Sequence, residues 1–127
     1  MRYACVGFIL GLWLFTGCGS GEPNTYRVTG DVTWQGSPIA DGDIIFTPQD
    51  GAAAPQAGKI VAGHYDVRAT QGPNRIEIYA TRESSQSDPV MNAKPREQFI
   101  PGKYNSQSTL SASVQAADNN RFDFNLQ

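Results

Sequence analysis

The chain has 127 residues, of which 39% are hydrophobic and 17% charged, and a formal net charge of −2, a size that suits one small domain. Its basic residues stand singly, so no basic stripe is present to neutralise nucleic-acid phosphates and no polybasic run to hold an anionic lipid surface. Nucleic acid is therefore excluded as an expected partner.

In chain order, Arg2 is followed by an apolar run from Ala4 to Phe15. A membrane-spanning helix needs about 20 apolar residues, so this run is short for one and matches the about 7–15 residues of a secretory h-region. The stretch "CGSGEPNT", Cys18 to Thr25, then has no apolar periodicity and reads as a polar tether. Both cysteines, Cys5 and Cys18, precede the tether's end. The rest of the chain has no thiol for a disulfide, a thiolate ligand or a cysteine nucleophile.

Phe15-Thr16-Gly17-Cys18 resembles the bacterial lipoprotein lipobox, with Phe15 where leucine is usual. The resemblance implies cleavage before Cys18, a diacylglycerol thioether on its sulfur, and palmitate-type acylation of its new amino group. Two or more acyl chains anchor stably, at about 0.8 kcal/mol per buried methylene, whereas one holds only marginally. The expected division is a signal peptide over 1–17, a flexible tether over 18–25 and a domain over 26–127. Such a protein is exported and lipid-anchored to the cell envelope, in the outer membrane or a periplasm-facing membrane. Gly19, where aspartate marks inner-membrane retention in lipoproteins, favours the outer membrane.

From Tyr26 the chain alternates. In "YRVTGDVTW", Tyr26, Val28, Val32 and Trp34 share one face, and Arg27, Thr29, Asp31 and Thr33 the other. A period of two with β-branched and aromatic residues predicts a half-buried strand. "QGSP" turns the chain. "DIIFTP" predicts a second, more apolar and therefore central strand, and "DGAAAPQAG" a loop. "KIVAG" and "HYDVRA" predict two more strands, and "NRIEIYATR" a fifth with Ile76, Ile78 and Ala80 inward. "STLSASVQA" carries Leu110, Ala112 and Val114 on one face, and "RFDFNLQ" carries Phe122, Phe124 and Leu126. About seven one-sided strands without an amphipathic helix predict an antiparallel β-sandwich.

The segment "GHYDV…GPNRIEI" and the opening "VTGDVTWQGSPIADGDIIFTP" resemble transthyretin-like, carboxypeptidase-regulatory-like domains. "IPGKYN", "STL" and "NRFDFNL" are similar to small secreted lipoproteins of planctomycetes. The resemblance implies a seven-stranded, prealbumin-like sandwich with no established activity, a module that supports, spaces or covers other domains.

Several residues invite chemistry. His64, the one histidine, shares a strand face with Asp66, but a pair of ligands makes a weak metal site. Asp41-Gly42-Asp43 lacks the further oxygens of a calcium loop and suits turn chemistry. Trp34 and Tyr26 are candidates for a sugar platform but share the periodicity of Val28 and Val32, which favours packing. Tyr79 points outward opposite Ile78.

The connection from Glu83 to Lys103 reads as a long stretch without regular structure, often a sign of function. Pro89, Pro95 and Pro101 reject a helix there, and Phe99 and Ile100 are expected to tuck beneath it. Tyr79, Arg96, Lys103 and Tyr104 are the candidate partner contacts. No catalytic residue, metal or cofactor is expected. The expected function is a non-enzymatic envelope lipoprotein with a structural or protein-contact role, held to the membrane through Cys18. The alternative is a carbohydrate-binding envelope module whose partner is a glycan.

Overall fold

The computed structural model describes residues 24–51 and 53–127; the signal segment and Cys18 lie outside them. The fold is all-β, an antiparallel, strongly curled sheet of many strands that forms a half-barrel. The strands are β1 (Thr25–Trp34), β2 (Ser37–Pro38), β3 (Asp41–Pro48), β4 (Gln56–Val61), β5 (His64–Thr70), β6 (Gly72–Glu83), β7 (Arg96–Gln98), β8 (Ser111–Val114), β9 (Asn120–Arg121) and β10 (Phe124–Leu126). A short 3-10 turn, Gly102–Tyr104, lies between β7 and β8. The path across the sheet runs β10-β1-β5-β4-β3-β6-β7.

Each predicted strand segment forms strand, and the apolar alternation decides which face is buried. Val28 and Val32 of β1, Ile44 and Phe46 of β3, and Ile76 and Ile78 of β6 are fully buried on the concave side. β3 is central as its composition predicts, pairing with β4 on one edge and β6 on the other. Two additions lie in stretches read as turn or loop. β2 pairs with the end of β1 through Thr33↔Pro38 and Trp34↔Ser37. β7, inside the long connection, pairs with the end of β6 through Thr81↔Gln98 and Glu83↔Arg96. The loop over "DGAAAPQAG" ends early, because Gln56 already pairs with Phe46.

Two tight hairpins let neighbouring strands pair at once. Gln35-Gly36 and Ala62-Gly63 both have positive φ, the two-residue geometry whose twist matches that of the flanking strands. Gly63 is required twice over, since a Cβ there would stand 2.6 Å from Pro38.

The curl arises because β1 and β6 each exchange partners along their length. On one edge, β1 pairs antiparallel with β5 from Thr25 to Asp31 and then with β2. On its other edge it pairs in parallel with β9 at Val28–Thr29 and with β10 at Val32–Trp34. β6 holds β3 on one edge, and β8 and then β7 on the other. The predicted last strand, "RFDFNLQ", is thereby interrupted at Phe122–Asp123. Concave side chains stack across the curl, so Tyr65 of β5 stands between Phe46 of β3 and Phe124 of β10, with ring centroids 6.1 and 6.4 Å away.

Polar side chains tie the flanks together where strands do not. Asn120 exchanges hydrogen bonds with the Gln115 backbone, N–H to Oδ1 at 2.8 Å and Nδ2 to the carbonyl at 3.0 Å, fixing the passage from β8 to β9. The Tyr104 hydroxyl donates to the Gln127 carbonyl at 2.8 Å and accepts from the Gln127 N–H at 3.0 Å.

Candidate functional site

Three aromatic rings gather where β1, β7 and the 3-10 turn converge. The Trp34 ring meets Phe99 edge-on at 6.5 Å and Tyr104 edge-on at 6.3 Å. Cations cap two of the rings. The Arg82 guanidinium lies 5.1 Å above Phe99, and the Lys103 ammonium 4.9 Å from the Tyr104 centroid, within the range of cation–π attraction.

Beside these rings lies a cleft of about 220 Å³. One wall is Trp34 with Ser37, Pro38 and Ile39; the other is Thr81, Arg82 and Phe99, and Asp41 stands in the lining. The local sequence explains the walls. Trp34 ends the concave row that begins with Val28 and Val32. Arg82 keeps the parity of Ile76, Ile78 and Ala80 but sits among the exposed last residues of β6. The cleft is thus the mouth of the half-barrel, where Trp34 and Arg82 of the concave parity meet Asp41 and Thr81 of the other. The Gln98 side chain ties β7 to β6 beside the cleft, its Oε1 accepting from the Ala80 N–H at 2.9 Å, while the Phe99 N–H donates to the Ala80 carbonyl at 3.2 Å.

Charges at the mouth are paired. Arg82 Nε reaches Glu97 Oε1 at 3.2 Å, and Arg96 Nη2 reaches Asp41 Oδ2 at 3.2 Å. Arg96 also donates to the Thr81 hydroxyl and carbonyl, each at 3.0 Å. Exposed pairs of this kind contribute little stability; their effect is to hold the guanidinium groups in place.

Of the candidate contacts, the structure brings Arg96, Lys103 and Tyr104 to this end of the sheet. Tyr79 lies apart, half-buried on the convex face of β6 and opposite Asp43 in the ladder. Tyr26 and Trp34 do not form one platform, because they sit near opposite ends of β1. Within the long connection, Ile100 is buried and Phe99 packs on the core as expected, whereas Val90 and Met91 are exposed. The Gln127 N–H, and then Lys103, hold the Tyr104 phenol below its ordinary value. Cys18 lies outside the described residues.

His64, Asp66 and Asp43 lie on the convex face. His64 Nδ1 is 3.1 Å from Asp31 Oδ1, its direct ladder partner, and Arg121 reaches the other Asp31 oxygen at 2.8 Å. The hydrogen bond from His64, assisted by Arg121, holds the Asp31 carboxyl below the usual range. Asp66, the residue paired with His64 in the sequence reading, is engaged instead by Arg27 at 2.6 Å, which lowers its pKa. Asp41 and Asp43 face Arg96 and Lys59, and Lys59 is raised in turn by its bond to Asp43. Among the described residues no group of three or more His, Cys, Asp or Glu stands together as metal ligands.

Sequence reasoning singled out Trp34 and Phe99 but assigned nothing to Arg82, and it weighed Asp41 only for calcium. The signal that marks Arg82 is a guanidinium at a concave-parity position among the last residues of a strand. Comparison with protein-family models, with curated proteins and with solved structures gives no match.

Proposed function

We propose that this protein is an exported lipoprotein, acylated on Cys18 and tethered through residues 18–25, whose β-domain is a non-catalytic interaction module at the cell envelope. The observation that carries the reading is the join at Cys18. An apolar run ends in Phe15-Thr16-Gly17-Cys18, and polar residues lead from it to Thr25, where β1 begins. Extended, the stretch from Cys18 to Thr25 spans at most about 25 Å, enough to hold a folded domain off a bilayer surface.

A binding role is supported by the state of the cleft. Its ionisable side chains, Asp41 and Arg82, are each engaged by an opposite charge, which suits holding a ligand more than abstracting a proton. The half-barrel, with its G-H-Y-D-V strand and a β6 that opens on Gly72-Pro73, is read as a prealbumin-like sandwich whose two layers are the flanks of one curled sheet. Strand at all seven predicted stretches, in β1, β3, β4, β5, β6, β8 and the interrupted β9–β10, supports that reading.

Intact-mass measurement of the membrane-extracted protein tests the anchor. The expected result is loss of residues 1–17 with acyl mass added at Cys18, and a C18S variant that is neither acylated nor membrane-retained. A soluble cytosolic protein with Met1 in place and no added lipid mass would refute it.

A further inference from the structure

We infer that the cleft at the mouth of the half-barrel binds a single pyranose ring of a neutral glycan, with Trp34 as its stacking surface. This names the ligand class of the interaction module and rests on that reading. At about 220 Å³ the cleft is smaller than the about 300–1,000 Å³ of sites for drug-sized ligands, so its occupant is one ring and not an extended molecule.

The lining selects among small ligands. Trp34, Ile39 and Phe99 present apolar surface, while Asp41, Arg82 and the hydroxyls of Ser37 and Thr81 supply acceptors and donors. A pyranose has the matching form, with C–H bonds over its face and hydroxyls around its edge. Aromatic side chains offer large contact area at low entropic cost.

Charge separates the remaining classes. Arg82 is balanced by Glu97 and Arg96 by Asp41. The charged side chains that line the cleft, Asp41 and Arg82, are thus each neutralised by a partner, and the lining adds no further cation for a phosphate or carboxylate ligand and no further anion for an amine. A neutral polyol suits it.

Position agrees with this. The tether joins at Thr25, and Trp34 closes the same strand of 10 residues, which places them about 30 Å apart along the strand. A domain held by a flexible tether at its Thr25 end leaves the cleft at the other end of β1 unobstructed by the attachment point.

In the chain processed before Cys18, Trp34 is the single tryptophan, because Trp13 falls within the removed segment. Its emission then reports the cleft alone. The detergent-extracted full chain is titrated with soluble cello-, chito-, xylo- and manno-oligosaccharides, following Trp34 emission and binding heat. The expected result is saturable binding of at least one series. W34A weakens it by about tenfold or more, as for a central aromatic anchor. R82M, which keeps the aliphatic cover over Phe99, weakens it by about tenfold, and R27M on the convex face leaves it unchanged.

No binding by any series overturns the inference, as does full affinity in both W34A and R82M. A Trp34 response to an aromatic peptide and to none of the sugars also overturns it. Intact mass of the same sample separates the two readings: an unacylated chain that binds sugar through Trp34 refutes the anchor alone.

Discussion

Replacing Gly30 by alanine places a methyl group where the last segment of the chain crosses β1. The new Cβ would stand 1.8 Å from the Phe122 carbonyl oxygen, 2.7 Å from its carbon and 2.9 Å from the Tyr65 hydroxyl. Ordinary contact begins near 3.4 Å, so the Phe122 peptide must retreat by about 1.5 Å. That retreat disturbs three hydrogen bonds: Tyr65 hydroxyl to the Phe122 carbonyl at 2.5 Å, Phe122 N–H to the Thr29 carbonyl at 3.0 Å, and Asp31 N–H to Asp123 Oδ1 at 2.8 Å.

At about 0.5–1.5 kcal/mol net for each bond, with overpacking of about 1–3 kcal/mol, the substitution costs several kcal/mol. The reduced freedom of the unfolded chain offsets about 0.4–1 kcal/mol of this, leaving a net loss of about 2–7 kcal/mol. Against a total stability of about 5–15 kcal/mol for a domain, that is a large fraction. Urea denaturation of the parent and G30A reads it as a lower midpoint at unchanged slope, and thermal denaturation as a fall of about 10 °C or more. A midpoint within about 0.5 kcal/mol of the parent, the range of surface substitutions, refutes the crossing of Phe122 over β1 and the parallel placement of β9 and β10.

Two further outcomes follow from buried polar groups. Asn105, 6% exposed, donates to the Ile100 and Pro101 carbonyls at 3.2 Å and accepts from the Ser106 N–H at 2.7 Å. N105A leaves these groups unsatisfied and should cost about 2–4 kcal/mol, with faster amide exchange across residues 99–108 as the check. Burial raises the Tyr65 phenol above its ordinary value of 10.0, so the folded state keeps a proton that the unfolded state releases. Its contribution to stability is complete below pH 10 and is lost as pH rises toward the folded value, by up to about 1.4 kcal/mol per pH unit. Y65F, titrated by urea midpoint from pH 9 to 11.5, should show a shallower alkaline decline than the parent; an equal slope counts against burial of the phenol.

The candidate site was partly legible before folding. Trp34 and Phe99 drew notice because large apolar side chains stood in a turn-bounded strand and in a proline-rich connection. Asp41 and Arg82 did not combine with them, since 41 positions of sequence separate that pair and only β3–β6 pairing brings them to one opening. The expected attachment at Cys18 and the tether after it rest on a linear pattern of residues that depends on no tertiary contact, and Cys18 lies outside the described residues.

What the sequence by itself determined is the class of element and the face each strand buries. Successive side chains of an extended strand alternate as a local property of the backbone, so Val28 with Val32, Ile44 with Phe46, and Phe124 with Leu126 declared their side without reference to any partner. The tertiary structure alone decided that one sheet curls upon itself, that β9 and β10 join β1 in parallel, and that β7 arises inside a charged connection. Those outcomes depend on which backbone edges remain unpaired once the hairpins have formed. An unpaired edge is a property of neighbours in space, which no local pattern of residues encodes.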